Sequence, residues 1–179
     1  ICVPCYAEAD TKHGVRKVVT TDDLNWGFLN PPRGDKSPAA VNLWGDRTKN
    51  QPTGMLVRFK QGFSSPPHIH NISYRGIVIE GEVHHDDPSA DKLWLPAGSY
   101  WTQPAGDVHI TAANAASNLI YLEIDGGPYL VKPSGQSFDN GERPLVLHAS
   151  NYVWQDLEGS LVEQPDKDIA TTYLWSQAP

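Results

Sequence analysis

Residues 62–70 read Gly-Phe-Ser-Ser-Pro-Pro-His-Ile-His, which places His68 and His70 two positions apart after a pair of prolines. On a β-strand, residues i and i+2 point to the same face, so the two imidazoles are directed at one point. Two histidines at this spacing can bind one metal ion without bending the backbone. A third ligand must then come from another part of the fold.

The third candidate ligand lies in a second stretch that contains a histidine. Residues 98–109 read Gly-Ser-Tyr-Trp-Thr-Gln-Pro-Ala-Gly-Asp-Val-His, and the Pro-x-Gly turn redirects the chain just before His109. We predict that His68, His70 and His109 together bind a divalent metal ion.

The two stretches resemble the two conserved motifs of the cupin superfamily. The resemblance implies an all-β fold, the cupin barrel (a double-stranded β-helix or jelly roll), with a metal ion inside it. The first motif is matched by Gly62, His68, His70 and Gly81, and the second by Gly98, Pro104, Gly106 and His109, with Asn114 one position late.

The sequence departs from the cupin pattern where the family places a metal-binding glutamate. Tyr74 occupies that position, and Arg75 occupies the longer permitted spacing. Arginine cannot ligate a cation, and a phenol with an ordinary pKa of about 10 ligates only when it is deprotonated. We therefore expect Tyr74 to donate a proton or hydrogen bond, or to fill space, beside three neutral imidazoles.

A centre of this kind resembles the three-histidine cupins, which include iron-dependent dioxygenases. Three histidines suit iron, zinc, manganese, nickel or copper, and the ligand type alone does not choose among them. Two interpretations follow. In the first, the chain is an enzyme of dioxygenase-like or Lewis-acid type, acting on a small anionic substrate that the metal chelates. In the second, it is a non-catalytic metal-binding module that binds or senses a small molecule.

A narrower resemblance covers roughly residues 18–132. It is to an uncharacterised bacterial tandem-cupin family, and it implies the fold and the metal without an established reaction. Four segments carry this resemblance: residues 26–36, 43–46, 74–76 and 101–106.

Short apolar runs and frequent turns support a barrel independently of the motifs. The chain has 15 glycines and 15 prolines, a density that favours strands joined by turns over a helical bundle. Met55, Val57 and Phe59 alternate with polar residues, as on a half-buried strand. We predict strands at residues 15–20, 40–44, 55–60, 73–80, 82–85, 92–95, 100–103, 108–112, 119–124 and 129–131, and no sustained helix.

Three regions are expected along the chain: residues 1–14 as a leader, 15–132 as the barrel and 133–179 as a tail. The leader contains Cys2 and Cys5, and the residues around Ala7 and Ala9 resemble the small-x-small end of a secretory signal. A signal remnant predicts a periplasmic or secreted protein that lacks both cysteines. A disordered leader and a functional cysteine pair are the alternatives.

The tail contains two echoes of earlier sequence. Residues 147–154 resemble residues 19–26, and residues 173–175 resemble residues 42–44. The order and spacing indicate the start of a truncated second cupin repeat, with chance matches among six tryptophans as the alternative. The tail contains no second His-x-His, so we expect no second metal site there.

Several other residues are candidates for the site. Gln103 could support the metal ligands as a donor or contact the substrate, and Glu123 could supply the carboxylate that Tyr74 replaces or pair with a surface cation. Of His84 and His85, alternation directs at most one inward, and we expect them to bond a turn carboxylate. Of the remaining candidates, His13 and His148 are predicted to lie on the surface and Trp94 and Trp101 to pack the barrel wall.

Composition limits the partners. The net charge is -7 and 20% of residues are charged, with no basic run to neutralise phosphates, so we expect no nucleic-acid partner. No apolar run approaches the roughly 18–20 residues that a membrane-spanning helix requires. A small-molecule substrate is expected, and a homodimer is left open as the assembly.

Overall fold

The computed structural model describes residues 19–20, 23–156, 170–172 and 174. The leader with Cys2 and Cys5, His13 and most of the predicted strand 15–20 lie outside these residues. The strands are β1 Gly27–Phe28, β2 Ala39–Trp44, β3 Thr53–Phe59, β4 His68–His70, β5 Tyr74–Glu80, β6 Glu82–Asp86, β7 Leu95–Pro96, β8 Tyr100–Gln103, β9 Ile110–Ala113, β10 Asn118–Ile124, β11 Val131–Pro133, β12 Leu145–Leu147, β13 Gln155–Asp156 and β14 Ala170–Thr171.

Seven antiparallel strands form the larger sheet, in the order β1-β2-β3-β10-β5-β8-β12. Its centre is a long register between β3 and β10, from the Asn118–Phe59 pair to the Ile124–Thr53 pair. Alternation sets the inner face, as predicted: Met55 and Val57 are fully buried and Phe59 nearly so, while Arg58 is exposed. Burying each such side chain contributes about 1.5–3 kcal/mol.

The opposing face is built from two smaller sheets that meet at the metal-ligand candidates. One has the order β7-β6-β9 and the other pairs β11 with β4. An antiparallel bridge between His68 and His109 joins them, through reciprocal backbone hydrogen bonds of 3.1 and 3.0 Å. The two predicted motifs are therefore neighbours in this second face of the barrel.

The core fills the space between the two faces. Both faces contribute apolar side chains, and the antiparallel arrangement of short strands confirms the predicted all-β jelly roll. The core residues are Ala40, Met55, Val57, Phe59, Tyr74, Val78, Val83, Leu95, Trp101, Ala113, Ile120, Leu122 and Ile124.

The structure corrects two strand predictions. The strand predicted at 129–131 is observed at Val131–Pro133. Residues 92–94 form no strand, and only Leu95–Pro96 pairs with β6. Lys92 and Leu93 are exposed, so this segment has little apolar burial to stabilise pairing. The helical segments among the described residues are short 3₁₀ turns at Pro31–Lys36, Ser134–Gln136 and Ala149–Asn151.

Part of the tail packs on the barrel. Strand β12 extends the larger sheet by pairing with β8, with Val146 opposite Trp101. The truncated-repeat hypothesis stays a prediction, since Tyr173 and Trp175 of the second echo lie outside the described residues. Within the described residues, no helix has the length and apolar character needed to cross a membrane.

Candidate metal centre

Three histidines converge inside the barrel. Strand β4 supplies His68 and His70, and His109 directly precedes β9. One ring nitrogen of each lies within 4.8 Å of the corresponding nitrogen in the other two. His70 and His109 are buried and His68 is partly buried. The backbone bridge between His68 and His109 places their rings 4.3 Å apart by centroids.

Each of these imidazoles is oriented by a backbone carbonyl. Nδ1 of His68 lies 2.9 Å from the Pro66 carbonyl oxygen, Nδ1 of His70 lies 3.1 Å from that of Leu130, and Nδ1 of His109 lies 3.1 Å from that of Asp107. A carbonyl oxygen can only accept a hydrogen bond, so each Nδ1 is protonated and donates that hydrogen bond. All three Nε2 lone pairs are left for a ligand, the arrangement usual for metal-binding histidines.

Burial keeps the three rings neutral. Removal from water lowers the pKa of His68 and lowers those of His70 and His109 well below the usual value. The nearby Arg33 cation lowers the pKa of His68 further. Metal binding requires the neutral imidazole, so the environment holds these side chains in the form that ligates.

The residues fit a metal ion. Two nitrogens that each bind one Zn²⁺ at about 2.0–2.1 Å lie roughly 3–4 Å from each other. The three histidine nitrogens lie within 4.8 Å of one another. Small side-chain rotations would therefore bring all three within reach of one ion. The donor set is neutral nitrogen, which suits zinc, iron, nickel or copper. The cluster therefore has the composition and spacing of a three-histidine metal site.

Two phenols lie against the free nitrogens. The Tyr74 hydroxyl is 3.2 Å from His109 Nε2, and the Tyr129 hydroxyl is 3.0 Å from His70 Nε2. The ring of Tyr129 also stacks on that of His70 at 4.2 Å. Burial raises the pKa of both phenols, so both stay protonated and can donate hydrogen bonds.

Sequence reasoning missed Tyr129. It was placed only as the start of a predicted strand, because nothing in the sequence shows which strand lies beside β4. The pairing of β11 with β4 brings the residues before β11 to the histidines. Pairing of this kind is decided by the closed barrel and leaves no local pattern.

His85 and Gln103 form a buried hydrogen-bonded chain behind the cluster. The Gln103 amide nitrogen donates to the Asp107 carbonyl at 3.1 Å and to its carboxylate at 3.3 Å. Gln103 Oε1 therefore faces His85 Nε2 at 2.9 Å and accepts a hydrogen bond from it. Thr111 then donates to His85 Nδ1 at 3.0 Å. Both nitrogens of His85 are engaged, which leaves it no lone pair for a metal.

This chain gives Gln103 a definite place. Its amide and the His109 ring share one acceptor, the Asp107 carbonyl. Gln103 is thereby connected to a metal-ligand candidate through this shared carbonyl oxygen. It is not among the residues that line the cavity, which favours the supporting interpretation over substrate contact.

The prediction that His84 and His85 bond a turn carboxylate is wrong. His85 points inward, as alternation allowed for one of the two, and bonds Gln103 and Thr111. His84 lies on the other face of β6, where its Nδ1 meets the Leu93 carbonyl at 3.2 Å and its ring packs near Trp94. Both are buried, His85 inside the barrel and His84 against Leu93 and Trp94 of the loop before β7.

The remaining candidates are not members of the three-histidine cluster. Glu123 pairs with Arg75 at 3.2 Å and accepts from the Tyr121 hydroxyl, so it is the surface partner of a cation and leaves the position of the missing carboxylate unfilled. His148 bonds Ser150 in the tail. Trp101 is fully buried in the core and Trp94 is half-buried.

A cavity of about 80 Å³ opens on the cluster. Among the described residues that line it, none is an aspartate or glutamate, and the charged one is Arg33. The other lining residues are mostly apolar or aromatic: Leu29, Asn30, Pro38, Val57, Phe59, Phe63, Ser65, Pro66, His68, His70, Tyr74, His85, Trp101, Thr111, Ile120, Leu122, Tyr129 and Val131.

Known structures share this fold. The polyketide cyclase RemF from Streptomyces resistomycificus is 16% identical, with a TM-score of 0.55 over 66% of this chain and 84% of that one. An RmlC-like cupin from Ralstonia eutropha is 17% identical, with a TM-score of 0.52 over 75% and 81%. A putative dioxygenase from Nostoc punctiforme is 18% identical, with a TM-score of 0.57 over 74% and 46%.

The barrel has the cupin fold, and its histidine cluster fits a three-histidine metal site. The sequence matches a domain of unknown function, DUF4437, over residues 17–179, and the chain belongs to that family. No curated protein sequence matches it.

Proposed function

We propose that this chain is a metal-dependent enzyme that acts on a small anionic substrate by dioxygenase-like or Lewis-acid chemistry. The observation that supports this proposal is the pairing of three neutral imidazoles with a cavity that no described carboxylate lines. A divalent ion bound there would keep its full charge, with which it could polarise a bound anion or activate water or dioxygen.

The chain's own residues supply the other functions of the site. The Tyr74 hydroxyl lies within hydrogen-bonding distance of His109 Nε2, and the Tyr129 hydroxyl lies within that distance of His70 Nε2. Both phenols stay protonated because burial raises their pKa. Each can therefore donate to a substrate atom beside the cluster, and Tyr74 is the proposed proton donor. Gln103 holds the carbonyl that orients His109, so we assign it a positioning role.

The shared fold does not choose the reaction, because one fold supports several chemistries. Structures that share this barrel include a polyketide cyclase and a putative dioxygenase, which supports an enzyme without choosing between the two types of reaction. Catalysis is favoured over a structural metal by the ligand count. A structural zinc is normally closed by four protein ligands, and the described cluster contains three.

Metal content and oxygen consumption test the proposal together. Protein purified without added metal should contain about one transition-metal ion per chain by elemental analysis. His109→Ala should lose most of it, because one of three ligands is removed. The matched control is His84→Ala, which removes an equally buried imidazole outside the cluster.

The reaction is then sought by supplying the metal-loaded protein with a panel of small carboxylates and keto acids. Oxygen uptake that His109→Ala abolishes indicates dioxygenase-like chemistry, and turnover without oxygen indicates Lewis-acid chemistry. Tight metal binding with ligand binding but no turnover of any panel member would instead favour the sensing module. Unchanged metal content in His109→Ala would refute the site.

A further inference from the structure

The cavity is electrostatically one-sided. No described aspartate or glutamate lines it. The charged group among the described lining residues is Arg33. A bound metal would add further positive charge, so the cavity favours an anion at more than one point.

The backbone at Arg33 is fixed by a braced turn, and its exposed side chain lines the cavity. Arg33 lies in the 3₁₀ segment Pro31–Lys36 between β1 and β2, whose first two residues are prolines with fixed φ. The base of the turn is closed by two bonds, from the Leu29 amide to the Pro38 carbonyl at 2.9 Å and from the Asn30 amide to Ser37 Oγ at 2.8 Å. Leu29, Asn30 and Pro38 also line the cavity.

The Arg33 side chain differs in its contacts from those of the other arginines that the structure describes. Arg47, Arg75 and Arg143 donate to protein acceptors, and Arg58 packs over the Trp26 ring at 4.2 Å. Within the part of the chain that the structure describes, no hydrogen bond or ion pair forms at the Arg33 side chain. Its five donors therefore remain available to a ligand, and a guanidinium matches a carboxylate with two parallel bonds.

We propose that Arg33 is the second anion-binding point of the cavity and that the substrate is a short dicarboxylate, held by Arg33 at one end and by the histidine centre at the other. This assignment rests on the proposed function. A water-sized group needs on the order of 10–15 Å³. The cavity of about 80 Å³ therefore accommodates about five to eight non-hydrogen atoms. A three- or four-carbon dicarboxylate has that size.

Calorimetric titration with malonate tests the proposal, using acetate as the ligand that has only one carboxylate. Wild type, Arg33→Gln, Arg33→Lys and the control Arg58→Gln are compared, each with measured metal content. Arg33→Gln should weaken malonate binding roughly 10- to 100-fold, the loss expected for charge-assisted hydrogen bonds. Arg33→Lys should lose less, because it keeps the charge without the paired geometry.

Acetate binding and metal content should change little in every variant, because Arg33 contacts only the far carboxylate. The proposal is overturned if wild type binds no malonate or if Arg33→Gln binds it as tightly as wild type. Repeating the titration on metal-free protein separates the two proposals. If the histidines bind no metal, the proposed function fails, while a malonate affinity that still depends on Arg33 supports the anion site.

Discussion

Replacing Gly76 by alanine tests how the barrel wall is fitted to the metal centre. Gly76 lies on the inner face of β5, directly opposite Trp101 of β8. A Cβ at this position would lie 2.3 Å from Cζ2 of the indole and 2.6 Å from both Cε2 and Cη2. Non-bonded carbon atoms pack at about 3.5–4.0 Å, so the indole would have to retreat by roughly 1 Å.

Free space beside the indole is limited to the cavity of about 80 Å³ that it helps to line. Trp101 is 0% exposed, and its ring lies 5.0 Å from that of His85 by centroids. Overpacking of this kind destabilises a core by about 1–3 kcal/mol. For a chain of this size the melting temperature should fall by roughly 2–12 °C. Gly27→Ala is the matched control, because its Cβ would meet nothing within 4 Å.

The assay is urea unfolding of both variants, of Trp101→Phe and of the double variant. Trp101→Phe removes part of the obstructing ring, so the double variant should be less destabilised than the sum of the singles by at least about 1 kcal/mol. The reasoning would be refuted by a Gly76→Ala variant as stable as wild type, or by strictly additive effects.

Three further predictions concern the site. Tyr74→Glu should keep or tighten metal binding, because an anionic oxygen joins three imidazoles, and should reduce turnover of an anionic substrate; a variant that loses its metal by elemental analysis contradicts this. Tyr74→Phe should retain metal and lose roughly 10²–10⁴-fold in turnover if the hydroxyl is a general acid, whereas metal loss would make the phenol a ligand. Burial lowers the pKa of His85 to about 3, so between that value and about 6.5 the unfolded chain alone binds the proton. Metal-free protein should therefore lose about 2–3 kcal/mol of unfolding free energy from this residue between pH 7 and pH 4.5, and His85→Leu should flatten that slope in urea titrations.

The sequence predicted those parts of the fold that depend on local pattern. The alternation of Met55, Val57 and Phe59 identified a half-buried strand because burial on one face leaves a period of two. The spacing of His68 and His70 likewise determined a shared direction. His109 was placed by resemblance to a known motif, since its proximity to His68 depends on a backbone bridge 41 positions along the chain.

The parts that could not be predicted depend on partners distant in sequence. His85 looked like a turn residue because its hydrogen-bond partners, Gln103 and Thr111, lie 18 and 26 positions away. Tyr129 carried no signal because the pairing of β11 with β4 is a property of the closed barrel. Sequence reasoning thus found the three ligands together with Tyr74 and Gln103, and the structure added Tyr129 and the inward-facing His85.

The carbonyl oxygens that orient the three histidines belong to the main chain at Pro66, Asp107 and Leu130. A main-chain oxygen persists whatever side chain the gene encodes, so point mutation at these positions leaves the orienting group intact. Over evolutionary time the three positions can drift freely, while insertions or deletions in the adjoining loops would displace the acceptor and misdirect a ligand. Relatives that keep the metal should therefore vary in residue type at these three sites and hold loop length constant around them.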